Sequence, residues 1–304
     1  MSGEIKQLPL VSIVMATYNG AKFLEAQMDS LLAQTYPNIE IVAVDDCSKD
    51  NTFEILERYA AKHSHIRVFR NASNLGYTRN FEKAVSLAIG EYISFSDQDD
   101  IWMPEKTTLL MNAIGDHPMI YSDSQLVSED LQPLWKHSDL KNQTPFDSCL
   151  YFAIDDCVAG HSLIMKRSIA VAAMPYPKEA AYDLWLPFFA TLYGEIQYIN
   201  TAFVQWRQHR SNVTGKKLDQ KAKLQATRTV FLMYRDACPP ALDKERKIFQ
   251  QLYDSYASYS LVNNFKRMRL FFKYQSYFLA MKKRNAFRKF LFCLKMFFKM
   301  KLLG

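Results

Sequence analysis

Residues 10–46 read LVSIVMATYNGAKFLEAQMDSLLAQTYPNIEIVAVDD, and the fold class is decided there. Leu10–Ala16 is an unbroken apolar run, the pattern of a short parallel strand buried on both faces. Ala21–Gln34 then places Phe23, Leu24, Met28, Leu31 and Leu32 at helical spacing. Ile39–Val44 is a second apolar run and ends at Asp45-Asp46. The same alternation continues downstream. Polar Ser48–Thr52 can cap a helix over Phe53–Lys62, Ile66–Arg70 is a third strand, and Asn80–Ala88 is a helix closed by Gly90. Tyr92–Ser96 is a fourth strand, running straight into Asp97-Gln98-Asp99-Asp100. This βαβαβ order predicts an α/β fold with a parallel sheet and helices on both faces.

Three polar clusters follow three of the apolar runs: Thr17-Tyr18-Asn19-Gly20, Asp45-Asp46 and Asp97-Gln98-Asp99-Asp100. Ligands of such sheets bind beyond the carboxyl ends of the strands, so the clusters are expected to meet in one cleft. Three carboxylates within four residues repel one another unless a positive charge lies between them. Mg2+ or Mn2+ supplies that charge, takes hard oxygen ligands and commonly joins carboxylates to substrate phosphates. A solvated acidic turn is the plainer reading of the same residues. The turn ATYNGAKF lacks GxGxxG, and the chain has no GxxxxGK[ST], which disfavours dinucleotide oxidoreductases and P-loop NTPases.

The 304 residues are 49% hydrophobic and 23% charged, the profile of a folded chain with a sizeable core. The net charge of +7 is unevenly spread. Ser255–Gly304 holds 12 Lys and Arg and no acid, whereas positions 1–254 hold 26 basic against 31 acidic residues, a net of −5. A basic nucleic-acid-binding core is therefore excluded. Five cysteines without a CxxC pair fit a reducing compartment rather than a disulfide framework or zinc site. MSGEIKQLPL shows no signal-peptide pattern, and no run of about 18 apolar residues predicts a membrane span. Ala241–Leu303 contains neither Gly nor Pro and is expected to be helical.

VSIVMATYNGAKFLEAQMDSLLAQTYPNIEIVAVDDCSKDNTFEIL resembles the N-terminal half of glycosyltransferase family 2, whose members have the GT-A fold and use nucleotide-diphosphate sugars. NLGYTRNFEKAVSLAIGEYISFSDQDD is similar to the segment leading to that family's Asp-x-Asp motif. IWMPEK, AYDLWLPFFATLYG and WRQHRSNVTG resemble rhamnosyltransferase-like members that build bacterial surface polysaccharides. The resemblance spans about residues 8–215. It implies a GT-A catalytic domain over 1–215 on a mixed, mostly parallel sheet, with a nucleotide-binding half of about 8–100 and an acceptor half of about 101–215. Residues 216–304 would form a helical C-terminal region with a basic amphipathic tail.

By the same resemblance, Asp45 and Asp46 contact the nucleotide, Thr17, Tyr18 and Asn19 line its pocket, and Arg79 adjoins it. Asp97 and Asp99 form the Asp-x-Asp and hold a divalent cation (Mn2+ or Mg2+) together with His209, close to the diphosphate. Asp183 matches the catalytic base, although a residue there can also start a helix. Asp100, Trp102, Gly160 and Trp185 are the expected acceptor or sugar contacts. His161 departs from the small or hydroxyl residue of the family pattern.

The expected activity is metal-dependent, inverting transfer of a sugar from a nucleotide-diphosphate donor to a lipid-linked or polysaccharide acceptor. The motif resemblance favours dTDP-rhamnose as donor, with a UDP-hexose as the alternative. A non-catalytic membrane-bound scaffold and a nucleotidyltransferase are the rivals from other classes. The intact acidic motifs argue against the first, and the absence of a Gly-rich basic first loop argues against the second.

In the tail, Arg284, Arg288, Lys295 and Lys299 share one helical face and Phe287, Phe290, Leu291, Leu294, Phe297 and Phe298 another. A basic amphipathic helix of this kind reads as a membrane-surface element, implying a cytoplasmic enzyme peripheral on the inner face of the cell membrane. A helix packed on the body with a solvated basic face is the alternative.

Overall fold

The computed structural model describes residues 8–209 and 220–298. Its N-terminal half follows the expected alternation: β1 (Val11–Thr17), α1 (Ala21–Leu32), β2 (Ile39–Asp45), α2 (Thr52–Lys62), β3 (Ile66–Arg70), α3 (Tyr77–Leu87) and β4 (Tyr92–Ser96). α3 starts three residues before the expected Asn80. The cause is Asp46, whose carboxylate accepts the backbone N–H groups of Leu75 and Gly76 at 2.8 and 2.9 Å and fixes the helix entry.

The chain then runs through β5 (Ile101–Trp102), α4 (Lys106–Ile114), β6 (Met119–Val127), β7 (Pro133–Lys136), α5 (His137–Leu140), β8 (Leu163–Lys166), α6 (Arg167–Ala172), α7 (Tyr182–Ala190) and β9 (Gln197–Arg207). One mixed sheet results, in the order β3-β2-β1-β4-β8-β6-β9-β5, with β7 paired to β6. It is parallel from β3 to β4, and β8 enters antiparallel to both β4 and β6. In register, Thr17 lies beside Asp45, and Met15 beside Ser96. The polar residues after β1, β2 and β4 therefore emerge side by side, as the strand-end rule predicts.

Five helices complete the described chain: α8 (Gln220–Ala237), α9 (Asp243–Ser255), α10 (Leu261–Lys273), α11 (Gln275–Phe278) and α12 (Ala286–Phe298). They share a continuous core with one face of the sheet. Tyr234 of α8 stacks on Phe188 of α7 at 3.8 Å between centroids, and Phe249 of α9 meets the same ring edge-on at 5.8 Å. Backbone contacts add to this: the Asn142 N–H donates to the Met281 carbonyl at 2.8 Å. Lys141 and Lys282 both pair with Asp155, the second at 2.7 Å.

α12 packs on α10 through buried Cys293 and Met296. Phe287, Phe290, Leu291 and Phe298 remain exposed, whereas Leu294 and Phe297 are half-buried. The helix thus both packs on its neighbour and keeps an apolar outer face. Lys299 lies outside the described residues. Among the described residues, no helix is long and apolar enough to cross a membrane.

Candidate active site

Asp45 is fully buried at the end of β2 and is held by local donors. It accepts the Ser48 N–H at 2.9 Å and the Ser48 and Thr17 hydroxyls, with the Arg70 Nε 3.4 Å away. Thr17 is likewise buried. Asn19, at φ 48°, accepts the Lys49 N–H on its amide oxygen and donates its own N–H to Ser48 Oγ, both at 2.9 Å. Tyr18 is 42% exposed, and its backbone is gripped on both sides by the Gln98 amide, at 2.8 and 3.1 Å. A Cβ at Gly20 would fall 2.1 Å from Gln98 Oε1, so a larger residue there would push aside the amide that grips Tyr18. The structure therefore brings Thr17, Tyr18, Asn19 and Asp45 together.

Asp46 and Arg79 are engaged elsewhere. Asp46 is buried and accepts from Asn71 Nδ2 at 2.7 Å as well as from Leu75 and Gly76, so its oxygens brace a loop. Arg79 pairs with Glu82 one turn along α3, at 2.7 Å.

The acidic motif after β4 is pinned from two directions. From β9, the Arg207 N–H donates to Asp100 Oδ1 at 3.0 Å and its Nε to the Asp99 carbonyl at 2.8 Å, while His209 Nε2 lies 2.8 Å from Asp99 Oδ2. From the loop before β8, His161 Nδ1 lies 3.4 Å from Asp97 Oδ2 and 3.2 Å from Asp100 Oδ2, and its Nε2 is 2.9 Å from Ser124 Oγ. Burial first, then the charge of Asp97, pushes the Asp99 and Asp100 carboxyls above the usual carboxylate range. Asp100 Oδ2 is buried without a hydrogen-bond partner.

An acidic cluster containing an orphaned buried oxygen is chemically suited to a divalent cation. One ligand atom from each of Asp97, Asp100 and His161 lies within 4.8 Å of the others, and the Asp99–His209 pair lies alongside. These residues fit a hard cation in both donor type and spacing. Sequence reasoning marked His161 only as a departure from the family pattern and gave it no place at the cation site; its signal was an imidazole two residues before the apolar run of β8.

Three expected sugar contacts are corrected. Asp100 is fully buried and bonded to β9, so it faces no acceptor. Trp102 is a core side chain with the Lys106 ammonium 3.0 Å from its ring centroid. Trp185 is also in the core, stacked against Phe188 and donating its indole N–H to the Ala173 carbonyl at 2.9 Å. Gly160 has a packing reason to be glycine: a Cβ there would lie 2.0 Å from the Tyr182 hydroxyl oxygen.

Asp183 lies in the first turn of α7, half-buried, and does not cap the helix; Ala181 is the N-cap. Its neighbour Tyr182 is locked among Phe81 and Phe95 at 4.3 and 5.1 Å, which fixes the start of the helix. The Asp183 carboxyl is pushed up to about 7, by burial first and then by the charges of Asp156 and Asp97. The Gly160 backbone opposes that shift. Asp183 and the acidic motif thus flank the same Gly160-His161 loop, which packs on Tyr182 and reaches Asp97.

A strand-end cluster of polar residues, a cation-suited acidic motif and a separate carboxylate on α7, all on this mixed sheet scaffold, are the arrangement expected of a GT-A glycosyltransferase. Residues 12–171 match the family model "Glycosyl transferase family 2", and the chain belongs to that family. It is 27% identical to the putative teichuronic acid biosynthesis glycosyltransferase TuaG of Bacillus subtilis, over 75% of this chain and 88% of that one. It is 28% identical to the UDP-Glc:alpha-D-GlcNAc-diphosphoundecaprenol beta-1,3-glucosyltransferase WfaP of Escherichia coli, over 70% and 83% of the respective chains. Among solved structures, S. aureus TarS 1-349 in complex with UDP-GlcNAc superposes with a TM-score of 0.61 at 20% identity, covering 95% of this chain and 81% of that one. That likeness is one of fold.

Proposed function

We propose that this glycosyltransferase is an inverting, cation-dependent enzyme that moves a hexose from a nucleotide-diphosphate donor to a lipid-linked or polysaccharide acceptor in bacterial surface-polysaccharide synthesis. The observation that supports the reading is the Gly160-His161 loop, which packs against Tyr182 beside Asp183 and sets His161 Nδ1 3.4 Å from Asp97 Oδ2, so that this carboxylate and the acidic motif flank the same loop. In a single displacement the acceptor oxygen bonds to the anomeric carbon as the bond to the diphosphate breaks. The acceptor hydroxyl's proton passes to the Asp183 carboxylate. A group poised near neutral pH is suited to that task. On the opposite side of the cleft, Asp97, Asp99 and His209, with Asp100 and His161 behind them, would hold Mn2+ or Mg2+. When bound, that cation supplies positive charge to the departing diphosphate. Thr17, Tyr18, Asn19 and Asp45 would seat the nucleotide, with Asp46 and Arg79 acting through the loop and helix they brace. Gly160 keeps the loop beside Asp183 close to the reacting centre.

The catalytic part is proposed as residues 1–215 and the helical part as 216–304. The basic helical part would keep the enzyme peripheral on the cytoplasmic face of the membrane, where lipid-linked acceptors lie. For the donor we favour a UDP-hexose over dTDP-rhamnose. The WfaP relative's name specifies UDP-glucose, whereas rhamnose rests on motif resemblance alone. A panel of UDP- and dTDP-sugars, assayed for turnover with Mn2+ and again with EDTA, tests this. Turnover of a UDP-hexose that EDTA stops is expected. Turnover of dTDP-rhamnose alone, or turnover that survives complete metal removal, overturns the corresponding part.

A further inference from the structure

α12 and its lead-in carry a cleft of about 340 Å³ lined by Arg284, Arg288, Leu291, Phe292 and Lys295. Three cations converge on it, and the Arg284 guanidinium lies 5.2 Å over the Phe292 ring. Among the described residues, no carboxylate comes within ion-pair distance of these three cations, and the chain has no acid after Asp254. The cleft is thus built for an anion and lacks an internal one.

The surface around it is apolar. Phe287 is 67% exposed, and Phe290, Leu291 and Phe298 are exposed with it. α10 supplies a second exposed set in Leu261, Val262 (64% exposed) and Phe265. Leu261, Phe265 and Phe272 are spaced by four and seven residues and so share one face of α10. Half-buried Phe272 meets Phe290 at 5.4 Å between centroids, which joins the outer faces of the two helices. Large apolar rings standing outward beside unpaired arginines match one environment, in which hydrocarbon lies next to phosphate.

We propose that the outer faces of α10 and α12 form a docking plate for an anionic lipid bilayer, with the Arg284–Arg288–Lys295 cleft receiving a lipid phosphate. This rests on the reading of the enzyme as membrane-peripheral and adds the partner's chemistry and the residues that meet it. The plate is part of the folded body, because α10 and α12 share the core that reaches the catalytic sheet.

The test uses the full chain in co-sedimentation with phosphatidylcholine vesicles and with vesicles containing phosphatidylglycerol. Binding only to the latter is expected. At about 1 kcal/mol per basic residue near an anionic surface, Arg284→Gln/Arg288→Gln should weaken that binding roughly 20- to 30-fold. Val262→Asp and Phe287→Ser/Phe290→Ser should each weaken it at least about tenfold, since all three side chains are exposed and their loss leaves no cavity. Melting temperatures near wild type show that the variants fold. Equal binding to both vesicle types, or variants that bind as wild type, overturn the proposal. So does competition by millimolar inorganic phosphate that abolishes binding, which would mark a free-anion site. A concentration-dependent dimer lost in Phe287→Ser/Phe290→Ser, with no vesicle binding, would assign the plate to a second copy instead. Turnover of donor sugar, measured without vesicles, reports separately on the catalytic reading: the plate can stand or fall without it.

Discussion

Asp183→Asn separates a catalytic carboxylate from a structural one. The wild-type carboxyl is pushed from 3.8 to about 7. A rise of that size corresponds to about 4 kcal/mol, which solvent screening at a half-buried side chain reduces to about 1–2 kcal/mol. Because the folded protein disfavours the ionised form, the unfolded chain gives up this proton first as pH rises. Stability therefore falls between about pH 4 and 7 and is level above that. An asparagine has no such charge. At pH 8 the variant should melt a few degrees above wild type, and near pH 4 the two should coincide. Catalysis should move in the opposite direction. Without a base the transfer rate falls by about 10²–10⁴, while nucleotide affinity is unchanged. Wild-type kcat/KM should rise as pH passes through about 7, and the residual rate of the variant should not. Calorimetry over a pH series, together with a coupled assay for released nucleoside diphosphate, measures both. A variant with wild-type kcat, or one that melts lower at pH 8, would refute the reasoning.

Three further outcomes follow from the site. Asp46→Asn replaces a buried acceptor of three N–H donors with an amide that cannot accept them all. It should cost about 2–4 kcal/mol in urea denaturation, and an unchanged midpoint would mean that the 71–76 loop is held by something else. Gly160→Ala must displace the Tyr182 ring, so a melting temperature several degrees lower and a drop in kcat are expected; a silent substitution would show that the loop yields freely. Asp99→Asn and His209→Ala should each weaken Mn2+ binding, read by electron paramagnetic resonance, by at least about tenfold. If only His161→Ala does so, the ion belongs to the Asp97–Asp100–His161 group instead.

The strands were legible because a parallel strand buried on both faces leaves an unbroken apolar run, and β1, β2 and β4 fall within a residue of their expected limits. Strand-end placement alone brought Thr17, Asp45 and the acidic motif to one cleft. Side-chain direction was not legible. Trp102 and Trp185 read equally well as sugar platforms or as core, because a sequence shows that a ring is large but not which way it faces. Asp100 stands one residue from Asp99, and only the antiparallel partner β9, about a hundred positions downstream, turns it inward onto the Arg207 N–H. His161 stood out only as a departure from the family pattern; its place beside the acidic motif comes from β8 inserting beside β4, a long-range pairing that no local pattern announces. In the tail, periodicity located both faces of α12 but not its contact on α10, which buries Cys293 and Met296 from the strip between them and also engages Phe290 and Phe292.

The salt link from Lys282 to Asp155 bears on how the enzyme can work at a surface. It fastens the lead-in of α12 to the loop that also carries Asp156, the residue whose charge helps poise Asp183. A flexible tether would let the cleft wander over a range of heights above whatever the helices rest on. A rigid mount fixes one height and one tilt. If those helices rest on a bilayer as proposed, an acceptor would have to present its reactive hydroxyl at that level, and the distance from mount to site would act as a ruler on the saccharides extended.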